Sequence, residues 1–264
     1  MRILQLSDPH LLADPAGCCR GRPALPLLRH ALACGLAQAV AAGMPADLLL
    51  ITGDLCQDES WGGYVRLREL LDTLPLPVAL LAGNHDHPQM LRAVLGRRAV
   101  VAPALLPFGD WSLLLLDSHL PGAVGGRLGV AQLAWLEQRL AEAQGPVGVA
   151  LHHPPLPIGD PEMDAIGLED GEALLAVLRR APAARGLVFG HVHQHWQGTL
   201  PGRPDFPLLG CPSTLASFGP VQPCPLRRAA DPGGRLLELG PGGEIRHTLL
   251  RWDLPAAPSV GAGV

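Results

Sequence analysis

The stretch Leu80-Leu81-Ala82-Gly83-Asn84-His85-Asp86-His87 places an apolar run directly before a glycine, an amide, two imidazoles and a carboxylate. A buried strand that delivers polar groups to the edge of a sheet has this pattern. Gly83 lets the backbone turn and approach a ligand closely, because it has no Cβ. Asn, Asp and Gly are also common turn residues, so a simple turn is the alternative interpretation of this stretch.

Other apolar runs of the chain end in the same way, which favours a functional edge over a simple turn. The polar groups that follow these runs are Asp8 and His10 after residues 3–7, Asp54 at the end of residues 47–54, His152 and His153 after residues 146–151, and His191 and His193 after residues 187–189. Each of these groups alone is weak support for a site, because single buried Asp and His residues are often structural. Together they predict one shared site.

Segments with helical spacing alternate with these strands. Helices are predicted at 25–42, 60–74, 89–95, 130–144 and 168–180, and further strands at 78–82 and 111–117, with a closing hairpin of 235–239 and 244–250. Alternation of strand and helix indicates parallel pairing, and the carboxyl ends of parallel strands share the edge at which ligands bind. The residues alone therefore predict a three-layer α/β fold.

Composition excludes several classes of function. The 264-residue chain is 48% hydrophobic and 17% charged, with a net charge of −4, so it is globular and offers no basic surface for nucleic acid. All 20 basic residues are arginine, which excludes a P-loop lysine, a Schiff base and a Ser-Lys dyad. We expect a small-molecule substrate, no nucleic-acid partner, and a monomer or homodimer.

The cysteines and the N-terminus predict a cytoplasmic location. The six cysteines show no Cys-x-x-Cys spacing, and adjacent Cys18 and Cys19 suit a reducing compartment better than a disulfide framework. No signal-peptide pattern precedes Asp8, and no apolar run is long enough to predict a membrane span.

The residue types at the strand ends are those of a transition-metal site. Carboxylate, imidazole and amide ligands together suit manganese, iron or zinc and not a calcium cage of oxygens. Two Asp, one Asn and three or four His exceed the needs of one tetrahedral ion. We therefore predict two divalent metal ions that share a carboxylate, an arrangement that clamps the attacking and leaving oxygens of a phosphoryl displacement.

The order of these motifs resembles that of the calcineurin-like metallophosphoesterases. The motifs are Asp8-Pro9-His10, Gly53-Asp54, Gly83-Asn84-His85-Asp86, His152-His153-Pro154 and Gly190-His191-Val192-His193. The resemblance spans about residues 1–250. It implies a four-layer α/β/β/α sandwich with two facing sheets, formed by one domain at 1–254 with a loose tail at 255–264.

Further motifs are similar to those of the bacterial class III cyclic nucleotide phosphodiesterases. They are Gln5-Leu6-Ser7-Asp8, Gly53-Asp54-Leu55-Cys56-Gln57-Asp58, His191-Val192-His193-Gln194, Cys211-Pro212-Ser213-Thr214 and Asp231-Pro232-Gly233-Gly234-Arg235. Leu215-Ala216-Ser217 departs from the more polar, cysteine-containing run expected there, close to the predicted nucleoside site.

The resemblance implies a role for each motif residue. One metal would be held by Asp8, His10, Asp54 and His193, and the other by Asp54, Asn84, His152 and His191, with iron or manganese favoured and zinc as an alternative. His85 would be the general acid for the leaving oxygen, oriented by Asp86. Asn84, His85 and His193 would also contact the substrate.

The implied reaction is hydrolysis of 3′,5′-cyclic AMP to 5′-AMP by in-line attack of a metal-bound hydroxide. An alternative is a phosphodiesterase for glycerophosphodiesters or other small diesters. A third hypothesis is a scaffold that has lost catalysis and binds proteins. It is disfavoured because all the expected ligands and His85 are present.

Adjacent His152 and His153 cannot both point at one ion if the strand continues, because alternate residues face opposite sides of a strand. Spacing does not choose between them, whereas the family's His-x-Pro element implies that His152 is the ligand. Among the remaining histidines, His119 and His195 are candidates for the site's surroundings. We expect a packing or surface position for His30, and surface positions for His87 and His247.

Overall fold

Two six-stranded β-sheets face each other, and the long helices lie on their outer surfaces. The computed structural model describes residues 1–255. The strands are β1 (Arg2–Leu6), β2 (Cys18–Cys19), β3 (Arg22–Pro23), β4 (Leu48–Ile51), β5 (Val78–Leu80), β6 (Val100–Val101), β7 (Ala104–Phe108), β8 (Trp111–Leu115), β9 (Val147–Ala150), β10 (Ala184–Phe189), β11 (Trp196–Leu200), β12 (Arg203–Gly210), β13 (Gly233–Leu239) and β14 (Ile245–Arg251). The helices are α1 (Ala24–Ala41), α2 (Trp61–Leu71), α3 (Pro88–Leu95), α4 (Gly129–Glu142), α5 (Pro161–Asp164) and α6 (Gly171–Arg180).

Both sheets are mixed, with four neighbouring parallel strands and antiparallel strands beside them. The first has the order β14-β13-β1-β4-β5-β6, and the second has the order β11-β12-β10-β9-β8-β7. In the first sheet β1, β4, β5 and β6 are parallel, while β13 runs antiparallel to both of its neighbours, β1 and β14. In the second, β8, β9, β10 and β12 are parallel, with β7 and β11 antiparallel at the edges. The hairpin β2–β3 lies outside both sheets.

Three hydrophobic cores define four layers. Alternation along β1 sends Leu4 and Leu6 to a core shared with α1, α2 and α3, and sends Ile3 to a core between the sheets. A third core joins the second sheet to α4 and α6. The four-layer sandwich implied by the family resemblance is confirmed, and the three-layer arrangement predicted from the residues alone is wrong. The sequence did not separate the two sheets, because strands of either sheet have the same buried pattern.

The predicted elements are present, with shifted ends. Helix α6 begins at Gly171 instead of 168, because Asp170 directs its carboxylate to the backbone N–H groups of Leu128 and Gly129 at the start of α4, at 3.0 and 2.7 Å. The sequence analysis missed β2, β3, β6, β7, β11, β12 and α5. The single domain at 1–254 stays a prediction, supported by the core that the two sheets share. The predicted loose tail lies outside the described residues from position 256 onward.

Helix α1 is the one helix of residues 1–255 that is long and apolar enough to span a membrane by length and composition. The sequence analysis did not anticipate this. Its buried side chains, which include Leu28, Ala31 and Leu32, pack in the core of the first sheet, as in the core helix of a globular protein.

The carboxyl ends of β1, β4 and β5 meet those of β9 and β10. The predicted polar groups therefore come from both sheets and not from one sheet edge, as the residues alone had indicated. This places the candidate site across the seam between the sheets.

Arg235 on β13 connects the two sheets at one end of this seam. Its side chain is fully buried and donates hydrogen bonds to the carbonyl oxygens of Gly210 on β12 and Trp196 on β11, at 2.9 and 2.8 Å. It also donates to the ring nitrogens of His195 and His247. Burial lowers the pKa of Arg235 to about 10. Carbonyl oxygens and imidazoles therefore stabilise this buried cation.

We expect Arg235→Met to lower the free energy of unfolding by about 1–3 kcal/mol, because it removes the donors and leaves their buried acceptors behind. Urea unfolding followed by circular dichroism measures the change. Arg246→Met is the control, since the Arg246 side chain on neighbouring β14 is 73% exposed and should shift stability by less than about 0.5 kcal/mol. Equal urea midpoints for both variants would show that the free-energy cost of burying the guanidinium cancels the contribution of its hydrogen bonds.

Candidate metal centre

The loops after β1 and β4 lie side by side and bring the first carboxylates together. The backbone N–H groups of Asp8 and His10 donate to the carbonyl oxygens of Gly53 and Asp54, at 3.1 and 2.9 Å. The extended conformation assumed from the sequence does not continue here, because Asp8 and His10 have φ values of 53° and 48°. Their side chains converge through left-handed turns and not through strand alternation.

Left-handed backbone is concentrated at this site. Residues 1–255 contain eight non-glycine residues with positive φ, and five of them are predicted ligands: Asp8, His10, Asp54, His191 and His193. A side chain in this region of φ costs free energy and persists only when the surrounding structure enforces it. Such strain at five predicted ligands supports a functional role for the cluster.

The first group of candidate ligand atoms comes from Asp8, His10, Asp54 and His193, all buried and within 4.8 Å of one another. His193 Nε2 lies 3.4 Å from Asp8 Oδ1, and His10 Nε2 lies 3.7 Å from Asp54 Oδ2. The two imidazole Nε2 atoms are 3.1 Å apart.

Protein oxygens hold the opposite nitrogens of these two imidazoles. His193 Nδ1 donates to the carbonyl oxygen of Ala216 at 2.9 Å, and we assign His10 Nδ1 as the donor to Gln57 Oε1 at 2.7 Å. Both Nε2 atoms therefore present bare lone pairs to each other. Burial, partly offset by the charge of Asp54, lowers the pKa of His10 to about 4, so the His10 ring is neutral at neutral pH.

The second group comprises Asn84, His152 and His191, with Asp54 as the fourth member. Asn84 Oδ1 lies 3.0 Å from His191 Nδ1 and 3.3 Å from His152 Nε2. His152 Nε2 lies 3.3 Å from His191 Nδ1 and 3.4 Å from Asp54 Oδ1. His152 Nδ1 donates to the carbonyl oxygen of Thr52 at 2.7 Å, so its Nε2 faces this group.

Asp54 faces both groups, one oxygen toward each. Burial would raise its pKa, but His152 and His10 outweigh that effect and hold the pKa well below its usual range. Conversely, burial would lower the pKa of His152, but the Asp54 carboxylate raises it to about 9. The centre thus stabilises positive charge at the point where Asp54 faces the second group.

The two groups fit a pair of metal ions. Ligands bound to one ion at about 2.1 Å lie roughly 3.0–3.4 Å from one another, which is the spacing of most of these atoms. In addition, the buried Asp8 Oδ2 has no hydrogen-bond partner among residues 1–255. A divalent cation in each group would satisfy lone pairs that otherwise repel.

Two glycines permit this close packing. A Cβ on Gly53, whose φ is 100°, would lie 2.3 Å from His152 Nδ1. A Cβ on Gly83 would lie 2.2 Å from Asp54 Oδ1. Any side chain at either position would therefore displace a candidate ligand.

Asp86 does not orient His85, contrary to the role implied by the resemblance. Its buried carboxylate accepts hydrogen bonds from the backbone N–H groups of Leu55, Cys56 and Gly83 and from the Tyr64 hydroxyl, at 2.8–3.1 Å. Burial and the charge of Asp54 raise its pKa to about 7 against these bonds. Asp86 therefore ties the loop of Asp54 to the loop of Asn84.

Gln57 contacts the imidazole of His85 instead. Gln57 Nε2 lies 3.2 Å from His85 Nδ1, and because an amide NH₂ only donates, Nδ1 is the acceptor. The proton of the neutral ring is then on Nε2. Both His85 and Asn84 line the open pocket above the two groups. Gln57 appeared in the sequence analysis only as part of a motif, and nothing in its spacing indicated that it joins His10 to His85.

The structure distinguishes His152 from His153. The ring nitrogens of His153 are both engaged, Nδ1 with the Ser118 hydroxyl at 2.8 Å and Nε2 with the carbonyl oxygen of Val124 at 3.0 Å. Although His153 lies close to His152 and His191, it has no free nitrogen for an ion. Burial and the neighbouring His152 lower its pKa to about 3.

The other histidines lie around the centre or away from it. His119 Nδ1 contacts the carbonyl oxygen of Gly83 at 3.0 Å, and His195 is buried against Arg235. His247 is half-buried against the same arginine, and His87 accepts the capping bond at the start of α3, so neither is a plain surface residue as predicted. His30 packs near Cys34 on α1.

The pocket also contains residues that the sequence analysis did not select. Phe218 stacks on the His193 ring with centroids 4.2 Å apart and an interplanar angle of 3°, and the Arg20 guanidinium lies over the Phe218 ring. Phe218 follows the Leu215-Ala216-Ser217 departure, which contributes a backbone carbonyl to His193.

The sequence profile of the calcineurin-like phosphoesterases matches residues 1–195 of the chain. The chain belongs to this family. It is therefore a phosphoesterase, as the motif order predicted.

Two relatives match this chain over nearly its whole length. A probable cyclic nucleotide phosphodiesterase of Synechococcus sp. (strain WH7803) is 54% identical over 96% of this chain and 97% of that protein. The 3′,5′-cyclic adenosine monophosphate phosphodiesterase of Pseudomonas aeruginosa is 36% identical over 95% and 90% of the two chains.

Among solved structures, a dimetal phosphatase from Danio rerio matches 94% of this chain and 98% of its own with a TM-score of 0.64. At 17% sequence identity this likeness shows the shared fold.

We expect His152→Ala to lose about one metal ion per chain and His153→Ala to keep both, because only His152 presents an unengaged nitrogen to the candidate ligands. Elemental analysis of metal-reconstituted, desalted protein measures the content. Thermal unfolding identifies any variant that fails to fold. The opposite pattern of metal loss would mean that His153 is the ligand and that its two hydrogen bonds break on metal binding.

Proposed function

We propose that this phosphoesterase hydrolyses 3′,5′-cyclic AMP to 5′-AMP at a centre of two divalent metal ions. The observation with the most weight is the pair of converging ligand groups joined by Asp54. The 54% identical relative, a probable cyclic nucleotide phosphodiesterase, supports the substrate class, and the 36% identical cyclic AMP phosphodiesterase supports cyclic AMP itself.

Asp8, His10, Asp54 and His193 would hold one ion, and Asp54, Asn84, His152 and His191 the other. The mixture of imidazole and carboxylate favours iron or manganese, with zinc as an alternative. Bound there, the two ions would acidify the attacking water and neutralise charge on the phosphoryl oxygens.

His85 is suited to protonate the leaving 3′ oxygen. The Gln57 amide leaves the His85 proton on Nε2, and the backbone N–H of His85 donates to Asp54 Oδ1 at 3.0 Å, which fixes the residue beside the metal-facing carboxylate. Attack on phosphorus breaks the bond to the 3′ oxygen, which would take the proton from Nε2 while Nδ1 takes one from solvent, so that the ring does not end as an imidazolate. Asn84, His85 and His193 all line the pocket and would contact the substrate phosphate.

The alternatives rest on weaker support. A glycerophosphodiester would fit the same metal chemistry, but no contact in the pocket favours glycerol. A protein-binding scaffold without catalysis has no need of five predicted ligands in left-handed backbone. None of the six cysteines, all within residues 1–255, forms a disulfide, which fits the predicted cytoplasmic location. A monomer or homodimer stays our expectation.

Removal of the metal tests the proposal. We expect chelator-treated protein to lose nearly all cyclic AMP hydrolysis and to regain it with manganese or iron, because the nucleophile depends on the ions. In ¹⁸O-labelled water the label should enter the phosphate of 5′-AMP. A panel with cyclic GMP and glycerophosphocholine provides the comparison. Full activity in metal-stripped protein would refute the metal mechanism, and exclusive turnover of the glycerophosphodiester would refute the substrate.

The leaving group tests the role of His85. We expect His85→Ala to lower kcat for cyclic AMP by about 10²–10⁴ while metal content is kept, because the alkoxide leaves without a proton donor. With bis(p-nitrophenyl) phosphate the loss should be much smaller, since p-nitrophenolate needs no proton. Equal losses for both substrates would exclude the acid role.

A further inference from the structure

The tip of hairpin β2–β3 is strained at an arginine. Cys19 pairs with Arg22, so the hairpin loop has only two residues, Arg20 and Gly21, with φ values of 50° and 71°. A two-residue loop of this kind needs positive φ at both positions and favours Asn or Gly at the first. At Arg20 this positive φ is sterically unfavourable, because the residue has a Cβ and a long side chain. Strain of this kind is concentrated at functional sites.

The Arg20 side chain extends over the candidate centre. Its Cζ atom lies 4.8 Å from the centroid of the Phe218 ring, and Phe218 in turn stacks on the imidazole of His193. The Phe218 ring thus contacts both the guanidinium and a candidate metal ligand. A single aromatic ring separates the guanidinium from that ligand.

The guanidinium has unused binding capacity. Among residues 1–255 it makes no hydrogen bond or ion pair, and Arg20 is the only Arg or Lys that lines the pocket in the described chain. Its five N–H donors and one planar face are therefore available to a bound molecule. The same pocket is lined by Met163, Ile166 and Val124, which provide an apolar surface for a flat ring.

We propose that Arg20 binds the base of a purine cyclic nucleotide, with its guanidinium plane against the ring and its N–H groups bonded to ring acceptors. This inference rests on the proposed function and names the residue that recognises the part of the substrate that does not react. In a cyclic nucleotide the ribose lies between the base and the phosphate. Phe218 likewise contacts Arg20 and the candidate ligand His193, so the base and the phosphate could reach these two groups together. Arginine planes are established platforms for stacked bases.

A substrate without a base tests this assignment. We expect Arg20→Ala to lower kcat/KM for cyclic AMP by about 10–100-fold, mainly through KM, because stacking on one base has this magnitude. Ribose 3′,5′-cyclic phosphate, which has the same reacting ring, should be hydrolysed equally by both proteins. Arg20→Lys keeps the charge but not the plane, and should resemble Arg20→Ala with cyclic AMP. An equal loss on the base-free substrate would assign Arg20 to the phosphate and overturn the proposal.

Equilibrium binding separates this inference from the proposed function. Calorimetric titration of 5′-AMP and of ribose 5-phosphate into the metal-loaded proteins should show weaker binding of 5′-AMP alone in Arg20→Ala, at unchanged metal content. Arg29→Ala, which removes an exposed arginine from α1, is the matched control and should behave as the wild type. Failure of the wild type to hydrolyse cyclic AMP would refute the proposed function. Equal 5′-AMP binding by Arg20→Ala and wild type, or none by either, would refute the role of Arg20.

Discussion

The centre depends on imidazoles that are held from behind by protein oxygens. The carbonyl oxygens of Thr52 and Ala216 accept the Nδ1 protons of His152 and His193, so that each Nε2 lone pair is directed inward. A histidine without such a hydrogen bond could change its tautomer or rotate its ring, and both changes would separate the lone pairs. Because these nitrogens are fixed, they converge with the two carboxylates and repel one another. A divalent cation relieves this repulsion, which favours its binding.

The rest of the fold maintains this arrangement against strain. Asp86 joins the loops of Asp54 and Asn84 through backbone N–H groups, and Tyr64 from α2 donates to the same carboxylate. Left-handed backbone at the ligands would relax if these loops separated. The cores on either side of each sheet hold the strand ends in place, and the buried Arg235 connects the sheets across the seam. Stability elsewhere thus offsets the local cost of the site.

Much of the fold followed from the sequence because burial leaves a periodic pattern. The spacing of apolar residues located β1, β4, β5, β8, β9 and the helices α1 to α4 and α6 to within a few residues. It gave no information on which strands share a sheet, since all are apolar on both faces. The short β6, the antiparallel edges β7 and β11, and the neighbouring β12 were missed, because their burial is partial or interrupted by proline and glycine.

For the site, the sequence by itself determined the chemical types and the motif order, and these were enough to indicate the family and a metal centre. Only the tertiary structure decided which nitrogen of each histidine is free, that His153 is fully engaged, and that Gln57 and not Asp86 contacts His85. These features depend on partners up to 100 residues away in the chain, such as Thr52 for His152. The spacing of residues along the chain cannot predict such contacts, because the distant segments come together only when the two sheets pack.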